Sequence, residues 1–200
     1  MLTFALLVSA AMTGQSAVPV EREPQHKPVF ENAVVRLLDV VLPPGYVSLF
    51  HIHSNDNVSV RLATGPTRVD LPDTDGQVSV PPVGRVLFNA AAPPYTHRVV
   101  NTGTTPIHIL DIEILASRPA APSPAPPALP RHTLEIDHAR VRSHRVTVSA
   151  GESLAAHTHP RAWLEVIIEG AGAGQYRWHE PGTTAAAAAG PAEIVEIEVQ

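Results

Sequence analysis

Two stretches of this chain can each place a pair of imidazoles on one side of a strand. Gly45-Tyr46-Val47-Ser48-Leu49-Phe50-His51-Ile52-His53 is echoed by Gly151-Glu152-Ser153-Leu154-Ala155-Ala156-His157-Thr158-His159. Side chains two apart on a strand share a face, so His-x-His offers two nitrogen ligands to one metal ion. With 11 histidines in 200 residues, chance supplies about 0.6 such pairs, and about 0.04 once a glycine six positions earlier is required. The doubling therefore carries the signal.

A duplication positions both pairs. Glu31-Asn32-Ala33-Val34-Val35-Arg36 lies over Asp137-His138-Ala139-Arg140-Val141-Arg142, and the same shift aligns Gly45 with Gly151, His51 with His157 and His53 with His159. The ends also match. Ile109-Leu110-Asp111-Ile112-Glu113-Ile114 resembles Ile194-Val195-Glu196-Ile197-Glu198-Val199, each alternating apolar and acidic residues as a half-buried strand does. Between the copies, residues 116–130 (ASRPAAPSPAPPALP) read as an extended Pro/Ala-rich linker dividing residues 18–115 from 131–200.

The second copy is shorter. From Gly65 to His97 is 32 positions, but from Gly170 to Thr184, the position aligned with His97, is only 14. About two strands and a turn are missing. Such a reduced sheet should draw its core from the first half, or from a second chain in a homodimer.

Composition bounds the rest. Runs of valine, isoleucine and threonine between Pro/Gly turns, with 21 prolines in the chain, favour short strands and exclude long helices. There is no cysteine, which excludes disulfides, thiolate chemistry, iron–sulfur clusters and a lipoprotein anchor. A net charge of -5 supplies no basic patch for nucleic acid. Residues 1–17 read as a secretory signal, with apolar Leu2 to Met12 followed by small residues. The stretch is too short to cross a bilayer, so a periplasmic or secreted protein without a membrane anchor is expected. No P-loop or Gly-x-Ser-x-Gly elbow is present.

These motifs resemble those of the cupin superfamily, and the chain is similar to a bicupin. Gly45, His51, His53 and Gly65 fit the first cupin motif; Gly84, His97 and Asn101 fit the second. The resemblance covers about residues 30–115 well and 137–200 loosely. Two positions depart from the pattern. The glutamate of the first motif is replaced by Asn57 or Val58 with Asp56 beside it, and Ala92-Pro93-Pro94 replaces the Pro-x-Gly turn before His97.

The resemblance implies an all-β tandem cupin of jelly-roll β-barrels, the second reduced, with His51, His53 and His97 converging on one divalent transition metal. A neutral three-histidine set suits Fe(II), with Zn, Cu or Ni as alternatives, and leaves coordination positions open. Asn57 is expected to hold a ligand ring or ligate weakly. Asp56 is expected to orient a ligand or water, or to swing in as a ligand. Tyr95 is expected to reach the substrate, with Phe50 and Phe88 lining the pocket.

The function implied is a mononuclear metal-dependent oxidoreductase of dioxygenase type acting on a small anionic or enol substrate. The alternative is a cupin that binds a metal or small molecule without turnover; a metal-free isomerase would need an acid–base pair instead of the triad. His157 and His159 are expected to hold no metal, because Thr184 offers no ligand and His179 lies five positions early. His26, His108, His132, His138 and His144 are expected to be exposed, and Glu165 and Glu169 to face solvent. Trp163 and Trp178 read as core or subunit-contact residues.

Overall fold

A computed structural model describes residues 16–117 and 129–200. Residues 1–15 of the expected signal and 118–128 of the expected linker lie outside the described residues. The strands are β1 Val18–Pro19, β2 His26–Glu31, β3 Val35–Leu42, β4 His51–His53, β5 Asn57–Ala63, β6 Thr67–Asp70, β7 Val78–Ser79, β8 Val86–Asn89, β9 Tyr95–Asn101 and β10 Ile107–Ile114 in the first half. The second half has β11 His132–His138, β12 Val141–Val148, β13 Ser153–Leu154, β14 Trp163–Glu169, β15 Tyr176–His179, β16 Ala188–Ala189 and β17 Ala192–Val199.

The first half forms two five-stranded sheets, ordered β1-β4-β9-β6-β7 and β2-β3-β10-β5-β8. The second half keeps one five-stranded sheet, β11-β12-β17-β14-β15, but its other sheet has shrunk to β13-β16. This is the all-β architecture of two jelly rolls, the second reduced. The shortening between Gly170 and Thr184 removes strands from the small sheet alone.

The two large sheets pack on each other. Val35 and Leu37 of β3, Val58 and Val60 of β5 and Leu110, Ile112 and Ile114 of β10 form one buried cluster with Val141, Leu164, Val166, Val195, Ile197 and Val199. Each such side chain removed from water contributes about 1.5–3 kcal/mol. The reduced half thus draws its core from the first half. The end strands β10 and β17 differ from the half-buried expectation. Their apolar row faces this shared core, while Asp111, Glu113, Glu196 and Glu198 turn away from it and are buried as well.

A buried ion pair joins the halves. Arg140 Nε donates to Asp56 Oδ2 at 3.0 Å and Arg140 Nη2 to the Ile114 carbonyl at 3.2 Å. Farther along, Arg145 of β12 binds Glu135 and Glu193 and donates to the Gly84 carbonyl at 2.6 Å.

Candidate metal centre

The first His-x-His is set by a turn and a register. Gly45 and its counterpart Gly151 both adopt positive φ, 73° and 79°, a conformation costly to any residue with a Cβ. That requirement accounts for the glycine in both copies. Beyond the turn, β4 pairs antiparallel with β9, placing His51 opposite His97 and His53 opposite Tyr95. Ligand atoms of His51, His53 and His97 lie within 4.8 Å of one another.

Two of the rings are held from outside. His51 Nδ1–H donates to the Leu49 carbonyl at 3.0 Å, and His51 Nε2 is buried with no partner. His53 Nδ1 lies 2.9 Å from the Asn57 amide, and His53 Nε2 is likewise buried and orphaned. Metal binding at His53 Nε2 puts the proton on Nδ1; a half-turn of the Asn57 amide, with that of Asn89, brings Oδ1 round to accept it and leaves Nδ2 to donate to the Tyr95 hydroxyl. Two orphaned lone pairs converging beside a third imidazole fit a transition metal, with Asn57 as the outer partner of His53.

Burial, then the neighbouring His97, lowers His53 to about 2. Burial, then His26 and His97, lowers His51 to about 3, and burial with His26 lowers His97 to about 4. All three rings are therefore neutral across the working range, the form that ligates.

Asp70 of β6 anchors the strand that carries His97. It binds Arg98 Nε at 2.9 Å, Arg68 Nε at 2.7 Å and the Gly76 N–H at 3.0 Å. Burial opposes its charge, but these donors, Arg68 foremost, hold it down at about 2. A depressed carboxylate stabilises the fold above its unfolded value and loses that contribution as pH falls through the folded one. The gap in urea midpoint between wild type and Asp70→Asn should therefore be full at neutral pH and shrink between about pH 4 and pH 2. A gap that does not change with pH would contradict this role for Asp70.

A pocket of about 320 Å³ opens onto His53 and His97. Tyr95 stacks on His53, ring centroids 4.8 Å apart, and its hydroxyl donates to Asn57 Oδ1 at 3.2 Å. Burial, then Asp111, raises the Tyr95 phenol above its ordinary value, so it stays a proton donor. Arg61, Arg85 and Asp111 are among the further polar residues of the wall. Arg61 is buried, and its Nη1 has no partner. Burial, then the adjacent Arg85, disfavours its charge. Asp111 Oδ1 is also buried and unpartnered, and burial, then Glu113, raises that carboxyl to about 8. Val40, Leu87 and Ile109 supply apolar wall.

Several sequence expectations need correction. Asp56 does not turn to the histidines; its carboxylate accepts from the Ala91 N–H at 2.8 Å and from Arg140. Phe88 packs on His138 across the inter-half face, with ring centroids 4.2 Å apart, and Phe50 lies under Arg98. His26 is buried, 4.4 Å ring to ring from His51, with Nδ1 bonded to Glu23 at 2.7 Å. His144 is buried too, while His108 pairs with Asp39. Glu169 is exposed, but Glu165 binds His179 at 3.1 Å. His179 stacks on Trp163 with ring centroids 4.0 Å apart.

The largest correction concerns the second His-x-His. Thr184 pairs with Thr158, as Thr96 pairs with Ile52. The residue facing His157 is therefore Ala185, whose N–H donates to the His157 carbonyl. No imidazole comes from that strand. Instead, His132 of β11 and Glu196 of β17 gather with His157 and His159, ligand atoms within 4.8 Å of one another.

Both additions were signalled in the duplication. The shift relating His51 to His157 also lays His26 over His132, and the matched ends lay Asp111 over Glu196. Arg61 and Arg85 carried no motif signal; the pairing of β5 with β8 and the turn before β8 bring them together.

No family model matches the chain, and no curated protein sequence does. Solved structures do. YhhW from Escherichia coli aligns over 84% of this chain and 82% of its own, at 15% identity and a TM-score of 0.58. The bacterial pirin YhhW in complex with nickel(II), from the same organism, aligns over the same shares at 16% identity and 0.56. A cupin 2 conserved barrel domain protein from Leptotrichia buccalis covers 86% of this chain and 87% of its own, at 12% identity and 0.50. The likeness is one of fold.

Proposed function

We propose that this chain, whose fold is that of the cupins, is a metal-dependent oxidoreductase of dioxygenase type acting on a small anionic or enol substrate at the His51–His53–His97 centre. One observation carries the reading. His53, with its orphaned Nε2, lines a single pocket of about 320 Å³ together with His97 and with Arg61, whose Nη1 is orphaned too. Neutral nitrogen ligands suit a divalent first-row ion such as Fe(II), Ni or Zn, and one of the structural neighbours is described in complex with nickel(II). When bound, such an ion supplies Lewis acidity, redox capacity in the case of iron, and open coordination positions.

The chain's own residues do the rest. Arg61, with Arg85 at the mouth, binds and orients the anionic end of the substrate through charge-assisted hydrogen bonds. Val40, Leu87 and Ile109 exclude water around it, which strengthens those contacts. The Tyr95 phenol offers its proton to a developing oxyanion. Asn57 holds the His53 ring and the Tyr95 hydroxyl in one network. A periplasmic or secreted setting follows if residues 1–17 act as a signal.

The test combines metal analysis with oxygen uptake. Wild type and His97→Ala are loaded with Fe(II), then supplied with diketones, flavonols and thiol acids. The variant should carry about one equivalent less metal per chain, and oxygen consumption should occur in wild type only. Equal metal in both proteins would overturn the centre. Metal without oxygen consumption on any substrate would overturn catalysis and leave a binding protein.

A further inference from the structure

We infer that the reduced half holds a second, structural metal centre, built by His132, His157, His159 and Glu196 for a divalent ion of the zinc class. The inference is independent of the function proposed for the first half. The four residues come from three places: His132 from β11, the His-x-His from the segment after β13, and Glu196 from β17. Two of these differ in origin from the first centre, where the third histidine comes from β9.

Hydrogen-bond arithmetic favours a cation. His132 Nε2 and His159 Nε2 lie 2.8 and 2.9 Å from Glu196 Oε2, and His157 Nε2 lies 3.0 Å from Oε1. The opposite nitrogens also face acceptors: His132 Nδ1 the Pro130 carbonyl at 2.7 Å, His157 Nδ1 the Ala155 carbonyl at 3.2 Å, and His159 Nδ1 Glu198 Oε1 at 2.7 Å. Every nitrogen of the three rings therefore points at an oxygen acceptor. A neutral imidazole carries one N–H, so neutral rings can satisfy only half of these contacts. Satisfying all of them with protons would require three imidazolium ions, with ring centroids 4.9, 5.4 and 6.2 Å apart.

A divalent ion resolves the arithmetic. With protons on the three Nδ1 atoms, each Nε2 lone pair and the Glu196 carboxylate turn to one centre. The outer N–H groups then rest on carbonyls and a carboxylate, the arrangement that orients metal-bound histidine. Three nitrogens and one carboxylate make a complete tetrahedral zinc set.

The surroundings make this a closed site. His159 and Glu196 are each 1% exposed, and the side chain of His132 is 2% exposed. Trp163 covers His159 at 4.5 Å between ring centroids. This half has only a two-stranded second sheet, and its own apolar cluster is Val146, Val148, Leu154 and Ile194. A metal staple offsets a small core.

The first half lacks the equivalent arrangement. Its counterpart of His132, His26, is bonded to Glu23. Its counterpart of Glu196, Asp111, is one methylene shorter and stands 3.8 Å from His53 Nδ1. The two copies have thus diverged in ligand set, from a three-histidine centre open to a pocket to a buried one closed by carboxylate.

The test uses the full chain in the His97→Ala background, which disables the first centre and leaves the second intact. Loaded with Co(II) and freed of excess, this protein should retain about one equivalent and show the intense visible bands of four-coordinate cobalt. Adding His132→Ala or Glu196→Gln should abolish both. Chelation should lower the melting temperature of His97→Ala but not of the doubly substituted chains. If His132→Ala fails to fold, the cobalt spectrum of His97→Ala still decides. No retained cobalt, bands of six-coordinate cobalt only, or retention unaffected by Glu196→Gln would each overturn the second centre.

Discussion

Replacing Asp56 by alanine should destabilise the protein by about 3–5 kcal/mol, the usual cost of removing one partner of a buried ion pair. At this chain length that corresponds to a fall in melting temperature of the order of 10 °C. The Asp56 and Arg140 side chains are 4% and 6% exposed, so neither charge has water to fall back on. The Asp56 carboxylate also accepts from the Ala91 N–H, and without it that donor is stranded in a buried site. Arg140 already has one buried nitrogen without a partner, Nη1. Losing Asp56 leaves a buried guanidinium with the Ile114 carbonyl as its remaining acceptor among the hydrogen bonds described. Asp56→Asn keeps one acceptor oxygen, for either the Ala91 N–H or Arg140, and should cost less than alanine. Metal content at the three histidines should not change in either variant, which separates this structural role from the ligand role expected of a carboxylate beside the motif position. A melting temperature within about 2 °C of wild type for Asp56→Ala would contradict the pair's place in the inter-half core.

Arg61→Met should move stability and binding in opposite directions. A charge-assisted hydrogen bond contributes about 1.5–3 kcal/mol, so a small carboxylate such as oxalate should bind the metal-loaded variant about 10- to 150-fold more weakly. Yet the ligand-free variant should be as stable as wild type or more so. In the free protein Arg61 is a buried cation, 9% exposed, with an orphaned nitrogen and a second guanidinium nearby. Methionine fills most of that volume without the desolvation cost. Such a trade is the mark of a residue kept for a ligand. Calorimetric titration with oxalate and a thermal scan of the ligand-free proteins measure the two halves of the expectation. Unchanged affinity with lower stability would make Arg61 a core residue and remove the anion site.

The sequence carried the fold and the first centre through local pattern. Gly45 with its following His-x-His, and Asn101 four residues after His97, are short-range signals set by one turn and one register. What it did not carry was set by contacts between distant strands. Asp56 lies beside the glutamate position of a ligand motif, but its neighbour in space is Arg140, brought there by the packing of β5 and β10 on β12 and β17. The acidic alternation of β17 suggested one wet face. Both faces are covered because the large sheet lies between the shared core and the barrel interior, and that turned Glu196 from a surface acid into a partner for three histidines. His132 looked isolated because its partners are 25 or more positions away in the chain.

The most direct test of the central claim is anomalous diffraction at the metal absorption edge from crystals of the protein loaded with Fe(II), Ni(II) or Zn(II). A peak bonded to Nε2 of His51 and His53 and to a ring nitrogen of His97, at about 2.0–2.2 Å, on the wall of the pocket that holds Arg61, is the expected result. Fully loaded crystals with no anomalous density among these three rings would contradict it.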